Sequence, residues 1–274
     1  MSGGELEDLD GAGTGPRPAG ASGSRSAGTP WDAGTYDRVS DPQLEWAAAV
    51  LGRLEGLPAD ATVLDVGCGT GRVTELLVEL VPDGRVLALD ASQEMVELAR
   101  ERLGESAEVF CSDVLELRLE AAVDAIVSTA TLHWVRDHER LWPVLAGALR
   151  GGGRLEAQCG GEGNIARVRE TIDGVVPVLA PELTGFSPWN FASAEETAAR
   201  LERSGFEQVR CWMEPRPTVP QDPPAFIRTS ILAAHLERLP VERREPFADA
   251  VAAEVRLPLD YVRLNVSARR AILG

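Results

Sequence analysis

Val63-Leu64-Asp65-Val66-Gly67-Cys68-Gly69-Thr70-Gly71 decides the fold of this 274-residue chain. Val63, Leu64 and Val66 form the short apolar run of a buried parallel strand. The three glycines let the backbone turn tightly and let a ligand approach it, and Val73, Leu76, Leu77 and Leu80 mark the apolar stripe of a following helix. Strand, glycine turn and helix together place a small-molecule site at the turn. A nicotinamide dinucleotide loop carries a third glycine three residues after the second, and here that position is Arg72. Asp65, two residues before the first glycine, repels a pyrophosphate, whereas a ligand carrying an ammonium and a sulfonium tolerates it.

The pattern continues downstream. Gly84 to Asp90 reads as a second strand ending in a carboxylate roughly 20 residues past the loop, where an acid accepts both hydroxyls of a ribose. Ala91 to Met95 opens a helix with Ser92 as N-cap, and Met95 is placed to lie against a purine ring. Val109 to Val114 reads as a third strand with Asp113 at its carboxyl end, and Val123 to Ser128 as a fourth, running into Thr129-Ala130-Thr131-Leu132-His133-Trp134-Val135. Leu149 to Leu155 turns through glycines into a fifth. Taken singly, an acid at a strand end is a turn residue or a helix cap. Cys68 alone is a small buried residue and Met95 alone is helix core. In order, on alternating strands and helices, they describe an α/β ligand site.

The string D-x-G-x-G-x-G from Asp65 to Gly71 resembles motif I of the class I S-adenosylmethionine-dependent methyltransferases. Leu149 to Leu155 resembles that family's L-x-P-G-G-x-L turn, with Arg150-Gly151 where Lys-Pro or Arg-Pro is usual. The resemblance implies a Rossmann-like doubly wound sheet of seven strands, the last antiparallel, with a helical cap insertion, and S-adenosyl-L-methionine as cofactor. It implies cofactor contacts from Asp65, Gly67, Cys68 and Gly69, from Asp90, Ala91 and Met95, and from Ser112, Asp113, Val114 and Thr129, with Asp113 on the adenine amino group. The sequence alone leaves the strand order open.

A finer resemblance runs from Trp31 to the end of the chain. Trp31-Asp32-x-x-x-Tyr36, Leu132-His133-Trp134-Val135, Gly160-Gly161-x-Gly163-Asn164, Pro188-Trp189-x-Phe191 and Tyr261-x-Arg263-Leu264 resemble the trans-aconitate methyltransferase group and its relatives, the juvenile hormone acid methyltransferases. It implies that Trp31 and Tyr36 form a lid and that Gln43 and Trp134 contact a substrate carboxylate, although Leu44-Glu45 stands where a basic pair is usual. His133, Trp189, Tyr261 and Arg263 complete the expected substrate-binding set. Each has a plainer reading: Trp134 as a core aromatic, Trp189 as a packing anchor, Tyr261 and Arg263 as alternating residues of a final strand. His133 lies at the carboxyl end of the fourth strand, where an imidazole serves as a base or as a hydrogen-bonding wall of the pocket. His138 and His235 do not compose a metal site with it, having no ligand spacing in common.

Composition limits the alternatives. With 44% hydrophobic residues the chain buries a full core, read as one methyltransferase domain over 31–274 after a disordered tail over 1–30, which is rich in Gly, Ala, Ser and Pro. The accessory cap is expected at about 164–192 and 222–256, with helices over 164–182 and 193–205, a strand over 206–212, helical spacing over 223–255 and a last strand over 261–271. The start lacks a signal peptide's basic and apolar regions, and no run of about 18 apolar residues spans a membrane. Cys68, Cys111, Cys159 and Cys211 have no paired spacing, which predicts reduced thiols, a cytoplasmic location and no metal. A net charge of −16 disfavours nucleic acid as partner. The chain contains no lysine, which excludes Schiff-base and pyridoxal phosphate chemistry and a P-loop; codon usage in a GC-rich genome accounts for that absence.

Three functions compete. The first is methyl transfer to a small-molecule substrate, with carboxylate O-methylation ahead of N-, O- or C-methylation in natural-product tailoring. The second is a noncatalytic cofactor-binding regulatory subunit. The third, a nicotinamide oxidoreductase, is opposed by Asp65 and Arg72. A carboxylate acceptor needs no base, whereas an amine or phenol needs one, and His133 is then the candidate. The oligomeric state is open.

Overall fold

The structure, a computed structural model, describes residues 41–272. The tail over 1–30 and the expected lid residues Trp31 and Tyr36 lie outside the described residues, as does the side chain of Gln43. Seven strands form one sheet: β1 (Thr62–Val66), β2 (Arg85–Asp90), β3 (Glu108–Cys111), β4 (Val123–Thr129), β5 (Leu149–Gly160), β6 (Phe206–Pro215) and β7 (Val262–Arg270). Their order is β3-β2-β1-β4-β5-β7-β6. β1 to β5 are parallel, and β7 runs antiparallel to both of its neighbours. The last strand is therefore the antiparallel one, as the sequence resemblance implied.

The order reverses between β1 and β4, so the loops leaving their carboxyl ends diverge and open a crevice, the place where open α/β sheets bind ligands. β1 is buried at all five positions, which is why its sequence reads as a continuous apolar run rather than an alternation. The helices are α1 (Asp41–Leu51), α2 (Arg72–Leu80), α3 (Gln93–Leu103), α4 (His138–Ala148), α5 (Ala166–Leu179), α6 (Ala194–Arg203) and α7 (Val241–Glu254). Gly71, at φ +85°, is the N-cap of α2; that left-handed conformation is the one glycine adopts without strain.

Leu64, Leu132, Leu141, Trp142 and Leu155 belong to one apolar cluster. A second is formed by Trp46, residues of α5, Trp189, Phe226, Ile231, Phe247 and Tyr261. The region over 223–255 is more broken than its apolar spacing suggests. Pro223–Phe226 leads into a π-helical turn, Ile227–Ile231, then into Ala233–Glu237 and α7. At the start of β5, Leu149 pairs with Val123 and Arg154 with Ala125, so residues 150–153 bulge out of the ladder. That glycine turn stands at the opposite end of the sheet from the crevice.

Candidate active site

The loop after β1 is fastened to the end of β2. The N–H groups of Gly67 and Cys68 both donate to the Leu89 carbonyl, at 2.8 and 3.0 Å. Gly67 has φ +77°, and a Cβ there would lie 2.1 Å from Cγ2 of Thr131, so the loops after β1 and β4 are in contact. The Thr131 hydroxyl bridges them, its one proton shared between the carbonyls of Thr129 (3.0 Å) and Gly67 (3.2 Å). Gly69 is the open side: a Cβ built on it would meet nothing within 4 Å.

Two carboxylates lie beneath this loop. Asp90, the last residue of β2, accepts from the Gly69 N–H at 3.0 Å and from the Ser92 N–H at 2.8 Å, and burial raises its pKa. Asp65 is buried, and one of its oxygens accepts from the Thr74 hydroxyl at 2.7 Å. The other has no hydrogen-bond partner among the described residues. Burial, opposed by the Thr74 bond and reinforced by the Asp90 charge, raises the Asp65 pKa to about 7. Burial also pushes the Cys68 thiol far above its ordinary range, leaving it unreactive.

The remaining residues expected to meet a cofactor stand along the same crest. Ala91 is exposed after β2, and Met95 is buried in the first turn of α3, its N–H accepted by the Ser92 side chain at 3.4 Å. After β3, Ser112 donates to the Asp113 carbonyl at 3.1 Å, and the exposed Asp113 carboxylate caps the short helix Val114–Glu116 through the Leu115 N–H at 2.9 Å. Val114 is buried in the first apolar cluster, and Thr129 ends β4. Ala130, the next residue, has φ +55°, a left-handed conformation that strains a residue with a Cβ.

On the β4–β5 side the walls are aromatic. His133 is buried, and its Nδ1 accepts a hydrogen bond from the Gly160 N–H at 3.3 Å. A backbone N–H only donates, so the imidazole proton resides on Nε2. Burial, then the nearby Arg263 charge, hold the His133 pKa well below its usual value, and the ring is neutral at pH 7. Its ring lies 5.2 Å from Trp134 and 5.6 Å from Phe191. Trp189 stacks on Phe191 at 5.5 Å and reaches Trp134 at 6.0 Å and His235 at 5.3 Å. Tyr261 packs against Trp46 at 5.2 Å, and the buried guanidinium of Arg263 lies 4.5 Å from the Trp46 ring centre.

The fold thus brings His133, Trp134, Trp189, Tyr261 and Arg263 to one end of the sheet. Sequence reasoning passed over Trp46 and Gln158, and it left His235 in the accessory region. A lone tryptophan among the alanines of α1 was the available signal for Trp46. Gln158 had none, being a polar residue in alternation on a strand. A separate cavity of about 460 Å³ lies at the amino ends of β1 and β4, lined by Asp60, Asp124, Arg150, Arg154 and Arg269. It is remote from these loops, and its arginines bond to Asp124 and to backbone carbonyls. Among the described residues no three His, Cys, Asp or Glu side chains gather as a metal site would require.

Residues 63–153 match the family model described as "Methyltransferase domain". A trans-aconitate 2-methyltransferase of Methylobacterium nodulans is 33% identical over 184 residues, 67% of this chain and 67% of that protein. A malonyl-[acyl-carrier protein] O-methyltransferase of Acetivibrio thermocellus is 38% identical over 108 residues, 39% of this chain and 38% of that protein. The solved structure of phosphoethanolamine N-methyltransferase 2 of Haemonchus contortus, in complex with phosphomonomethylethanolamine and S-adenosylhomocysteine, superposes with a TM-score of 0.62 at 14% identity, covering 89% of this chain and 58% of that one. That last likeness concerns the fold alone. The chain belongs to the class I S-adenosylmethionine-dependent methyltransferases. Within them it falls in the group of the trans-aconitate 2-methyltransferases.

S-adenosylmethionine is accordingly its cofactor. The crest fits such a molecule: Gly69 leaves room against the loop, Asp90 offers carboxylate oxygens for a ribose, and the Asp65 oxygen without a partner suits a positively charged ligand. No helix among the described residues is long and apolar enough to cross a membrane.

Proposed function

We propose that this enzyme transfers a methyl group to a carboxylate oxygen of a small organic acid. The observation that carries the reading is the state of His133. An amine or phenol acceptor must lose a proton, and the Nδ1 lone pair that would take it is engaged by the Gly160 N–H. His133 is left as a neutral donor through Nε2, suited to hold an acceptor oxygen. An organic acid, with an ordinary pKa of about 4, is ionised at pH 7 and requires no base. The bound cofactor supplies an electrophilic methyl carbon on a sulfonium. The acceptor oxygen bonds to that carbon as the carbon–sulfur bond breaks, and no proton moves.

The residues of the chain align and desolvate. Trp134 and Trp189 form the apolar wall, and Arg263, backed by Trp46 and Tyr261, takes the anionic end of the acceptor; the family resemblance assigns Gln43 to the same carboxylate. On the cofactor side, Asp90 takes the ribose hydroxyls, Asp113 the adenine amino group and Asp65 the ammonium. Residues 164–192 and 222–256 act as a cap over the acceptor, with Trp31 and Tyr36 as its lid. Relatives named for trans-aconitate and for malonyl-[acyl-carrier protein] support an acid as acceptor.

The test is incubation with labelled S-adenosylmethionine and a panel of acids, amines and phenols, with the product mass read out, followed by single-turnover rates from about pH 6 to 9. A methyl ester product and a flat profile, with His133→Asn losing less than about tenfold, are expected. A steep rise with pH that this substitution abolishes would move the reading to amine or phenol methylation.

A further inference from the structure

β5 and β7 carry a run of polar side chains, buried except for the half-buried Ser267, of which only Arg263 is employed above. Gln158 stands opposite Asn265 in the ladder and Glu156 opposite Ser267, while Arg263 faces Gly160, the last residue of β5 at the crevice end. Polar groups this deeply buried are tolerated only when hydrogen-bonded. Arg53, in the turn that follows α1, donates from Nε to Glu156 at 2.8 Å and from Nη1 to the Asn265 side-chain oxygen at 3.1 Å. Gln158 donates its amide to that same oxygen at 2.9 Å, and its own carbonyl accepts from Nε of Arg263 at 3.4 Å. Both amide orientations follow from this chain: turning either one over would set N–H against N–H. Because the guanidinium is planar, fixing Nε and the face over Trp46 fixes the direction of its terminal nitrogens.

We propose that Gln158 is a positioning residue for anion selection: anchored by Asn265, which the half-buried Arg53 of the Arg53–Glu156 pair holds in turn, it keeps the Arg263 guanidinium in a single plane against Trp46. The inference rests on the assignment of Arg263 to the acceptor's carboxylate. An arginine set in advance gives up little side-chain freedom when an anion arrives, so the relay sharpens the preference for acid over neutral acceptor without touching the cofactor. Replacing a purely structural Gln158 would lower stability and leave the acid-to-ester preference unchanged, because glutamate and leucine both lose the donor to Asn265. Replacing a positioning Gln158 changes that preference as well, most of all with glutamate, whose carboxylate captures the guanidinium.

The measurement is calorimetry on protein saturated with S-adenosylhomocysteine, using octanoate, benzoate and trans-aconitate, each against its methyl ester. Wild type should prefer at least one acid, and Arg263→Met should abolish that preference. Gln158→Leu should reduce the acid-to-ester ratio by about tenfold, and Gln158→Glu by more, with adenosylhomocysteine affinity changed less than twofold. If both Gln158 variants keep the wild-type ratio while Arg263→Met loses it, the relay is overturned and the acceptor reading stands. If wild type shows no preference, or Arg263→Met retains it, the acceptor reading fails and the relay with it. Should Gln158→Leu fail to fold, Asn265→Ser interrupts the next link, and an unchanged ratio there overturns the proposal equally.

Discussion

The two sides of the crevice are made from different material. The proposed cofactor side is built from one stretch, Asp65 to Thr131, and works largely through backbone: glycine turns, N–H groups and carboxylates at strand ends. The proposed acceptor side is gathered from α1, the loop after β4, β5, Trp189 and β7, and consists of aromatic rings and buried polar side chains. A cofactor of constant shape is met by local turn geometry that few sequences satisfy. An acceptor that differs from one enzyme to the next is met by side chains, which change without disturbing the turns.

Substitutions test that division, and the largest effect is expected at the seam. Gly67→Ala combines a left-handed backbone with a Cβ 2.1 Å from Thr131, so calorimetry should find no adenosylhomocysteine binding. Retained binding would show that the two loops are not in contact. Asp90→Ala should cost about 1–3 kcal/mol of cofactor affinity, since ribose hydroxyls would face an apolar gap, and a comparable loss of acceptor affinity would blur the division. Trp134→Ala should raise the acceptor KM by roughly tenfold and leave adenosylhomocysteine affinity within about twofold. Equal losses in both would erase the boundary altogether.

The smallest effect is a pH dependence confined to one side. Asp65 has a folded pKa of about 7, above the ordinary carboxyl value, so its burial is penalised only once it ionises. The ligand-free protein should therefore be most stable at low pH with respect to this group, losing that stability between about pH 4 and 7. A positively charged ligand favours the ionised form, so adenosylhomocysteine affinity should rise a few-fold from pH 6 to 8. Titration calorimetry on Asp65→Asn should give a flat line, and a slope that persists would place the titrating group elsewhere.

The same division explains what the sequence could be read for. β1 to β4, with Asp65 and Asp90, announced themselves through neighbours a few residues away: an apolar run, a glycine pattern, an acid at a strand end. The tautomer of His133 depends on the Gly160 N–H, 27 residues distant and on another strand. Glu156, Gln158 and Asn265 carry no such local signal, and three-dimensional contact alone shows that they are buried and that Arg53, in the chain following α1, reaches Glu156 and Asn265. The π-helical turn Ile227–Ile231 was invisible for a related reason. Its apolar residues satisfy helical spacing whether the turn holds three or four intervening positions, and packing makes the choice.

β7 runs against the rest of the sheet, so it enters at the crevice, where Arg263 stands, and leaves at the other end. Its nine residues carry the chain roughly 30 Å from the crevice. A reporter, a surface tether or a second enzyme joined beyond it would hang from the far edge. Immobilised by that end, the molecule would keep its mouth toward solution, which makes the polarity of one strand a handle for engineering.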